Sequence, residues 1–210
     1  MAAIFVTVKV PFMTASKDGN IGGLLLAAGG SRRMGTPKQL LEFEGRTLLQ
    51  RAAETLTDSN CDPIVVVLGA DYSQAQIQIG GLPLAICFNE NWKSGMSSSI
   101  KAGLNELIRI EPELAAVMIT LCDQPHTTAD HIDLFATEFR RSAASIVAAE
   151  YGGTLGVPAL FSRAMFIDLL RLEGDKGARD LIRNSKNTKR IILDEAAFDI
   201  DTPEDMEQGL

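Results

Sequence analysis

Apolar and polar positions follow two rhythms along this chain. Short, almost uninterrupted apolar runs rich in β-branched residues recur at residues 21–28, 64–68, 84–88, 115–121 and 145–149. Runs of that length without polar alternation predict strands buried on both faces. Between most of them the spacing becomes helical. Leu48, Leu49, Ala52, Ala53 and Leu56 form one stripe, Ile100, Leu104, Leu107 and Ile108 a second, and Met165, Phe166, Leu169 and Leu170 a third. Each stripe reads as core packing. Buried strands alternating with one-faced helices predict an α/β fold, a three-layer α/β/α sandwich around a mostly parallel, Rossmann-like sheet. Ligands in such sheets gather beyond the carboxyl ends of the strands.

The first apolar run opens into Gly29-Gly30-Ser31-Arg32-Arg33-Met34-Gly35-Thr36-Pro37-Lys38. Glycines let successive backbone N–H groups turn toward one point, and Arg32, Arg33 and Lys38 add three positive charges with no acid among them, which suits a polyphosphate. A turn that needs glycine for geometry, beside a solvated arginine pair, would leave a similar trace. It is not a P-loop, because Thr36 and Pro37 separate Gly35 from Lys38. Nor is it the dinucleotide fingerprint, which needs a middle glycine and an acid ending the next strand, where Val67-Leu68-Gly69 stands.

The run at 115–121 ends in Cys122-Asp123-Gln124-Pro125, after which Thr127 would begin a helix through Asp130 to Arg141. A carboxylate leaving a central strand points into the crevice, and Asp123 suits magnesium, a hard cation that takes oxygen ligands. Asp before Pro is also an ordinary turn. Late in the chain, Thr202 suits an N-cap, Pro203 the first helical position and Asp205 the capping-box acid. Asp201 is not needed for that cap and is a candidate second metal ligand. The polar segment 89–99 holds the one Trp, Trp92, and serines that either cap a helix or contact a base, ribose or second substrate. Gly174-Asp175-Lys176-Gly177-Ala178-Arg179 reads either as a C-cap and turn or as an anion clamp on the acceptor side. His126 and His131 are expected on a helix surface with no catalytic part.

A length of 210 residues suits one domain, read as 19–210, with residues 1–18 an amino-terminal extension or edge strand. The net charge of -7 excludes a nucleic-acid surface while leaving room for a local cationic pocket that takes a small anion with a divalent cation. Cys61, Cys87 and Cys122 lack pairing or metal-ligand spacing and are expected as free thiols of a reducing compartment. No stretch is long and apolar enough to span a membrane, so a cytoplasmic protein is expected.

Together these motifs resemble the family of molybdenum cofactor nucleotidyltransferases, and most closely its cytidylyltransferase branch. The carriers are residues 26–38, Asn91-Trp92-x-x-Gly95-Met96, Asp123-Gln124-Pro125, Gly156-x-Pro158, residues 174–179 and residues 201–205. The resemblance implies a nucleotide-diphospho-sugar transferase type of fold and CMP transfer from CTP to the phosphate of molybdopterin, with magnesium and release of pyrophosphate. It implies that Leu26, Ala27, Ala28, Gly29, Gly30, Ser31, Arg33, Lys38, Gly95, Met96 and Ser97 bind the nucleotide. Arg33, Lys38 and Asp123 would then be catalytic, and Asp123 and Asp201 would hold the metal. Trp92, Gly156, Pro158, Lys176 and Arg179 would face the acceptor. Val157 stands where many relatives have histidine, which bears on the acceptor. The same chemistry with GTP, or on a sugar phosphate or methylerythritol phosphate, and a non-catalytic cofactor carrier remain the alternatives. A molybdoenzyme that receives the product is the implied partner.

Overall fold

The computed structural model describes residues 18–30, 37–175, 177–200 and 205. The chain runs β1 (Ile21–Ala27), β2 (Glu42–Phe43), β3 (Arg46–Thr47), α1 (Leu48–Thr57), β4 (Ile64–Leu68), α2 (Tyr72–Gln78), β5 (Ala85–Phe88) and α3 (Met96–Ile110). It continues through β6 (Ala116–Leu121), α4 (Ala129–Arg141), β7 (Ile146–Tyr151), β8 (Thr154–Ser162), α5 (Phe166–Leu170), α6 (Arg179–Asn184) and β9 (Thr188–Ile192). Seven strands form one sheet in the order β5-β4-β1-β6-β8-β7-β9, and β2 and β3 make a separate small hairpin.

Within the seven-stranded sheet all pairings are parallel except those of β8, which runs antiparallel to both β6 and β7. The five expected strands are present, each bounded within two residues of its apolar run. The apolar rhythm misses two strands of this sheet, β8 and β9, and the signal for β8 is Gly152-Gly153. Both glycines have positive φ, 53° and 73°, the backbone that a two-residue hairpin between twisted strands requires.

The layers follow from the alternation of side chains along each strand. Leu25, Val66, Leu68 and Met118 pack with Leu49, Leu56, Phe135 and Phe139 of α1 and α4. Leu24, Val65, Val67, Val117 and Ile119 pack on the other face with Ile100, Leu104 and Leu107 of α3 and Phe166 and Leu169 of α5. All seven residues of β1 are buried, as a central strand between two helical layers must be. The third stripe yields only the five-residue α5, preceded by a turn of 3-10 helix at Arg163–Met165. The α4 cap is Thr128 rather than Thr127, with its side chain accepting from the His131 N–H. Among the described residues no helix is long and apolar enough to cross a membrane.

Candidate active site

Strands β1 and β6 are parallel neighbours, with Leu26 opposite Leu121 in register. The segments that leave their carboxyl ends therefore start one strand spacing apart, about 4.8 Å. One leads through Gly29 toward Lys38; the other is Cys122-Asp123-Gln124. Lys38 begins a turn of 3-10 helix, and its Nζ donates to Asp123 Oδ2 at 2.8 Å across 85 positions of sequence. The two side chains are only 11% and 23% exposed, so water screens the pair weakly.

A cavity of about 410 Å³ opens beside this pair, within the range of small-ligand sites. Its floor is Leu26, Ala27, Ala28 and Gly29, and its walls include Lys38, Asp123, Trp92, Met96 and Asp175. Helix α3 begins at its edge with no acid in its first turn, so the positive end of a 15-residue helix adds to the Lys38 charge. Two carboxylates and these positive groups suit an anion that arrives with a divalent cation. Asp123 Oδ1 is buried and has no hydrogen-bond partner, an oxygen still open to a hard cation. Among the described residues no group of three or more His, Cys, Asp or Glu side chains could hold a metal unaided. One carboxylate supplemented by substrate phosphates is the usual magnesium arrangement.

Backbone contacts shape the cavity wall. Trp92 lies against Gly69, where a Cβ would come within 2.7 Å of both Trp92 Cβ and the Ala28 carbonyl. Glycine is needed there for close approach. Ser97 is buried, and its N–H donates to Gly174 O at 3.2 Å, which draws Gly174 onto the start of α3. Ser98 and Ser99 accept from Asn89 Nδ2 at 2.8 and 3.0 Å, so these serines brace the loop that carries Trp92. Ser99, not Ser97, lines the cavity.

A second cluster adjoins Asp123 through its chain neighbour Gln124. Gln124 Nε2 donates to Val157 O and Ala196 O, and the Tyr151 hydroxyl donates to Val157 O at 3.2 Å. A Cβ at Gly156 would collide with that hydroxyl, so Gly156 makes room for Tyr151. Burial, together with the Asp199 charge, pushes the Tyr151 phenol above its ordinary range, while Arg179 and Gln124 pull the other way. Tyr151 is thus a hydrogen-bond donor at neutral pH. The Ile200 N–H donates to Asp123 O at 3.0 Å, bringing Asp199 and Ile200 to the end of β6. Burial pushes the neighbouring Cys122 thiol up to about 12, with Asp123 adding to the effect and Lys38 opposing it.

Lys38, Asp123, Leu26, Ala27, Ala28, Gly29, Trp92, Gly95 and Met96 thus share one cavity. Gly30 stands just behind it against Trp92, while Gly156 belongs to the Tyr151 cluster, where Arg179 also acts, and Pro158 follows Val157 in β8. Ser31, Arg33, Lys176 and Asp201 lie outside the described residues. Tyr151, Gln39 and Asp175 were not singled out as site residues by sequence reasoning; Gln39 sits beside Lys38 and donates to Ala70 O at 3.3 Å. The placement of His126 on a helix is overturned. It sits in a turn with its ring 5.8 Å from Phe43 and 5.1 Å from Phe198, a packing position. His131 is helical as expected, in the first turn of α4. The three cysteines are free.

Comparison with known proteins accords with this geometry. Residues 23–190 match the family described as the MobA-like NTP transferase domain. The nicotine blue oxidoreductase of Paenarthrobacter nicotinovorans is 34% identical, over 89% of this chain and 94% of that protein. The purine catabolism protein PucB of Bacillus subtilis is 27% identical, over 87% and 92%. A probable molybdenum cofactor guanylyltransferase of Bacillus cytotoxicus is 28% identical over 54% of each chain. Among solved structures, the homologue of Mycobacterium tuberculosis Rv0371c from Mycobacterium sp. strain JC1 superposes with a TM-score of 0.76 at 32% identity, covering 90% of this chain and 93% of that one. Rv0371c of Mycobacterium tuberculosis in complex with manganese gives a TM-score of 0.65 at 25% identity, covering 90% and 97%.

Proposed function

This chain belongs to the MobA-like NTP transferase domain family and is a nucleotidyltransferase, and from that premise we propose that it transfers CMP from CTP to the phosphate of molybdopterin. The observation that carries the reading is the meeting of Lys38 and Asp123 at the mouth of a cavity floored by the end of β1. A phosphate oxygen of the acceptor attacks the α-phosphorus of CTP in line, the bond from that phosphorus to the β-phosphate bridging oxygen breaks, and pyrophosphate leaves. The attacking phosphate is already ionised at neutral pH, so no general base is required. That agrees with His126 and His131 being occupied in packing and capping.

Positioning and charge neutralisation then supply the rate. Leu26 to Gly30 cradle the nucleotide with Gly95 and Met96; Lys38, with Arg33 and Ser31, offsets charge on the leaving phosphates. Magnesium, held by Asp123 with Asp201, supplies further charge neutralisation when bound. Support for Asp201 comes from Ile200, whose N–H reaches the Asp123 carbonyl. Support for a divalent ion comes from the unpartnered Asp123 Oδ1 and from the manganese complex of one neighbour. Trp92, Gly156, Pro158, Lys176 and Arg179 face the acceptor, with Tyr151 added to them. Ser97 contributes through the α3 start. Residues 19–210 form the single catalytic domain of this reading, at work in the cytoplasm and handing its product to a molybdoenzyme.

Pyrophosphate release with each of the four nucleoside triphosphates tests it, with and without molybdopterin and magnesium. Turnover that needs CTP, molybdopterin and magnesium together is expected. Faster release with GTP, or with a sugar phosphate or methylerythritol phosphate as acceptor, would move the assignment to that substrate. CTP binding without turnover would make the protein a carrier. A redox reading draws on the name of the nicotine blue oxidoreductase, 34% identical, and electron transfer to a blue dye in place of pyrophosphate release would favour it.

A further inference from the structure

Gln124 follows Asp123 directly, is 4% exposed, and has no part in the chemistry above. Its Nε2 donates to Val157 O at 3.1 Å and to Ala196 O at 3.0 Å. Two carbonyls on one side fix which end of the amide is nitrogen, because an oxygen there would face only other acceptors. The opposite end, Oε1, is buried and has no hydrogen-bond partner. A buried amide oxygen left in that state keeps its full desolvation penalty unless water reaches it.

Space for such a water lies beside Gln124. Gln124 lines a small cavity together with Arg51, Thr120 and Thr127, and Arg51 Nε, Thr120 Oγ1 and Thr127 Oγ1 are likewise buried without partners. About 10 Å³ of this cavity is open to the centre of a water molecule. One buried water needs about that much space and two to four polar partners. A water in this space would have two donors, Arg51 Nε and a threonine hydroxyl, and acceptors in Gln124 Oε1 and the second threonine as its candidate partners.

We propose that Gln124 is a positioning residue for Asp123, its amide clamped between that buried water and the carbonyls of Val157 and Ala196. The clamp fixes the end of β6 against β8 and against the segment approaching through Ile200, whose N–H holds the Asp123 carbonyl. Asp123 Oδ1 is thereby presented to the metal from a fixed position at the end of β6. The inference rests on the reading of Asp123 as a metal ligand.

The test is manganese binding without turnover, followed by the paramagnetic signal of free Mn²⁺ in the presence of a non-hydrolysable CTP analogue. Gln124→Met and Gln124→Glu keep the side-chain size but remove the donors; each is expected to weaken Mn²⁺ about tenfold while affinity for the analogue without metal stays within twofold. Thr127→Val, which removes one water partner and neither carbonyl contact, is expected to weaken Mn²⁺ about threefold. A high-resolution crystal structure is expected to show water density between Arg51 and Gln124. Unchanged Mn²⁺ affinity in a folded Gln124 variant, equal loss of nucleotide and metal affinity, or a dry cavity would each overturn the proposal. Should neither Gln124 variant fold, Thr127→Val decides in the same terms. A wild-type protein that binds no Mn²⁺ would instead refute the metal role of Asp123 and carry this inference down with it.

Discussion

Removing the Lys38 ammonium should cost stability and turnover by separable amounts. At 2.8 Å the Coulomb attraction to Asp123 is about 6 kcal/mol at an effective dielectric of about 20. Desolvation of both ions opposes most of it. Fully buried pairs lose about 3–5 kcal/mol when one partner is deleted, and exposed pairs couple by at most about 1. With side chains 11% and 23% exposed, this pair stands nearer the buried limit, and a coupling of about 2 kcal/mol is expected. Lys38→Met, Asp123→Asn and the double variant, unfolded in urea, form the cycle that isolates this term from any other contact of either residue. Because water screens the pair weakly, the coupling should survive added salt. In the pyrophosphate assay Lys38→Met should lower kcat about 10²-fold or more, the loss typical of one electrostatic donor to a transition state. A coupling below about 0.5 kcal/mol would refute the low-dielectric picture of the pair. Near-normal turnover would refute the role of Lys38 in the chemistry.

Three further outcomes follow from the packing. Gly156→Ala should destabilise the fold by about 1–3 kcal/mol through collision with the Tyr151 hydroxyl, and Tyr151→Phe in the same chain should restore part of that in urea unfolding; no rescue would mean that Gly156 serves some other purpose. Gly69→Ala should push Trp92 outward, red-shifting the emission of the chain's one Trp and lowering the melting temperature, and unaltered emission would contradict the close approach. Burial raises Cys122 to about 12 and Cys61 to about 11 from an ordinary 9.0, so the folded state keeps protons that the unfolded state sheds above that value. Stability should therefore fall as pH rises from 9 toward 11, with a shallower fall in a Cys61→Ala, Cys122→Ala variant, and equal slopes would refute the shifts.

Much of the site was legible because its pieces sit where strands end. Residues 21–28 and 115–121 were recognisable as buried strands from apolar runs alone, and adjacency in the sheet then forces Lys38 and Asp123 toward one another. Spacing could not reveal that β1 and β6 are neighbours, which is a matter of strand order. Tyr151 escaped notice because its importance comes from an antiparallel partner, β8, that mixes polar and apolar positions and so lacks the signature of a doubly buried strand. Gly152-Gly153 was the available cue. His126 was misplaced because a polar ring between two aromatic ones looks like any surface residue until Phe43 and Phe198, far apart in sequence, are seen to meet there. The cap at Thr128 rather than Thr127 turned on one residue of turn geometry, which neighbouring threonines leave ambiguous.

The stitch between Ile200 and Asp123 spans 77 positions and encloses β7, β8 and β9. Closing a loop of that reach is entropically slow, whereas β1, β4 and their intervening helix α1 assemble from near neighbours. During refolding the cradle of residues 26–30 should consequently exist before Asp123 meets either Lys38, 85 positions away, or Ile200. An intermediate of that kind would hold a nucleotide yet fail to use it, so recovery of binding should run ahead of recovery of catalysis.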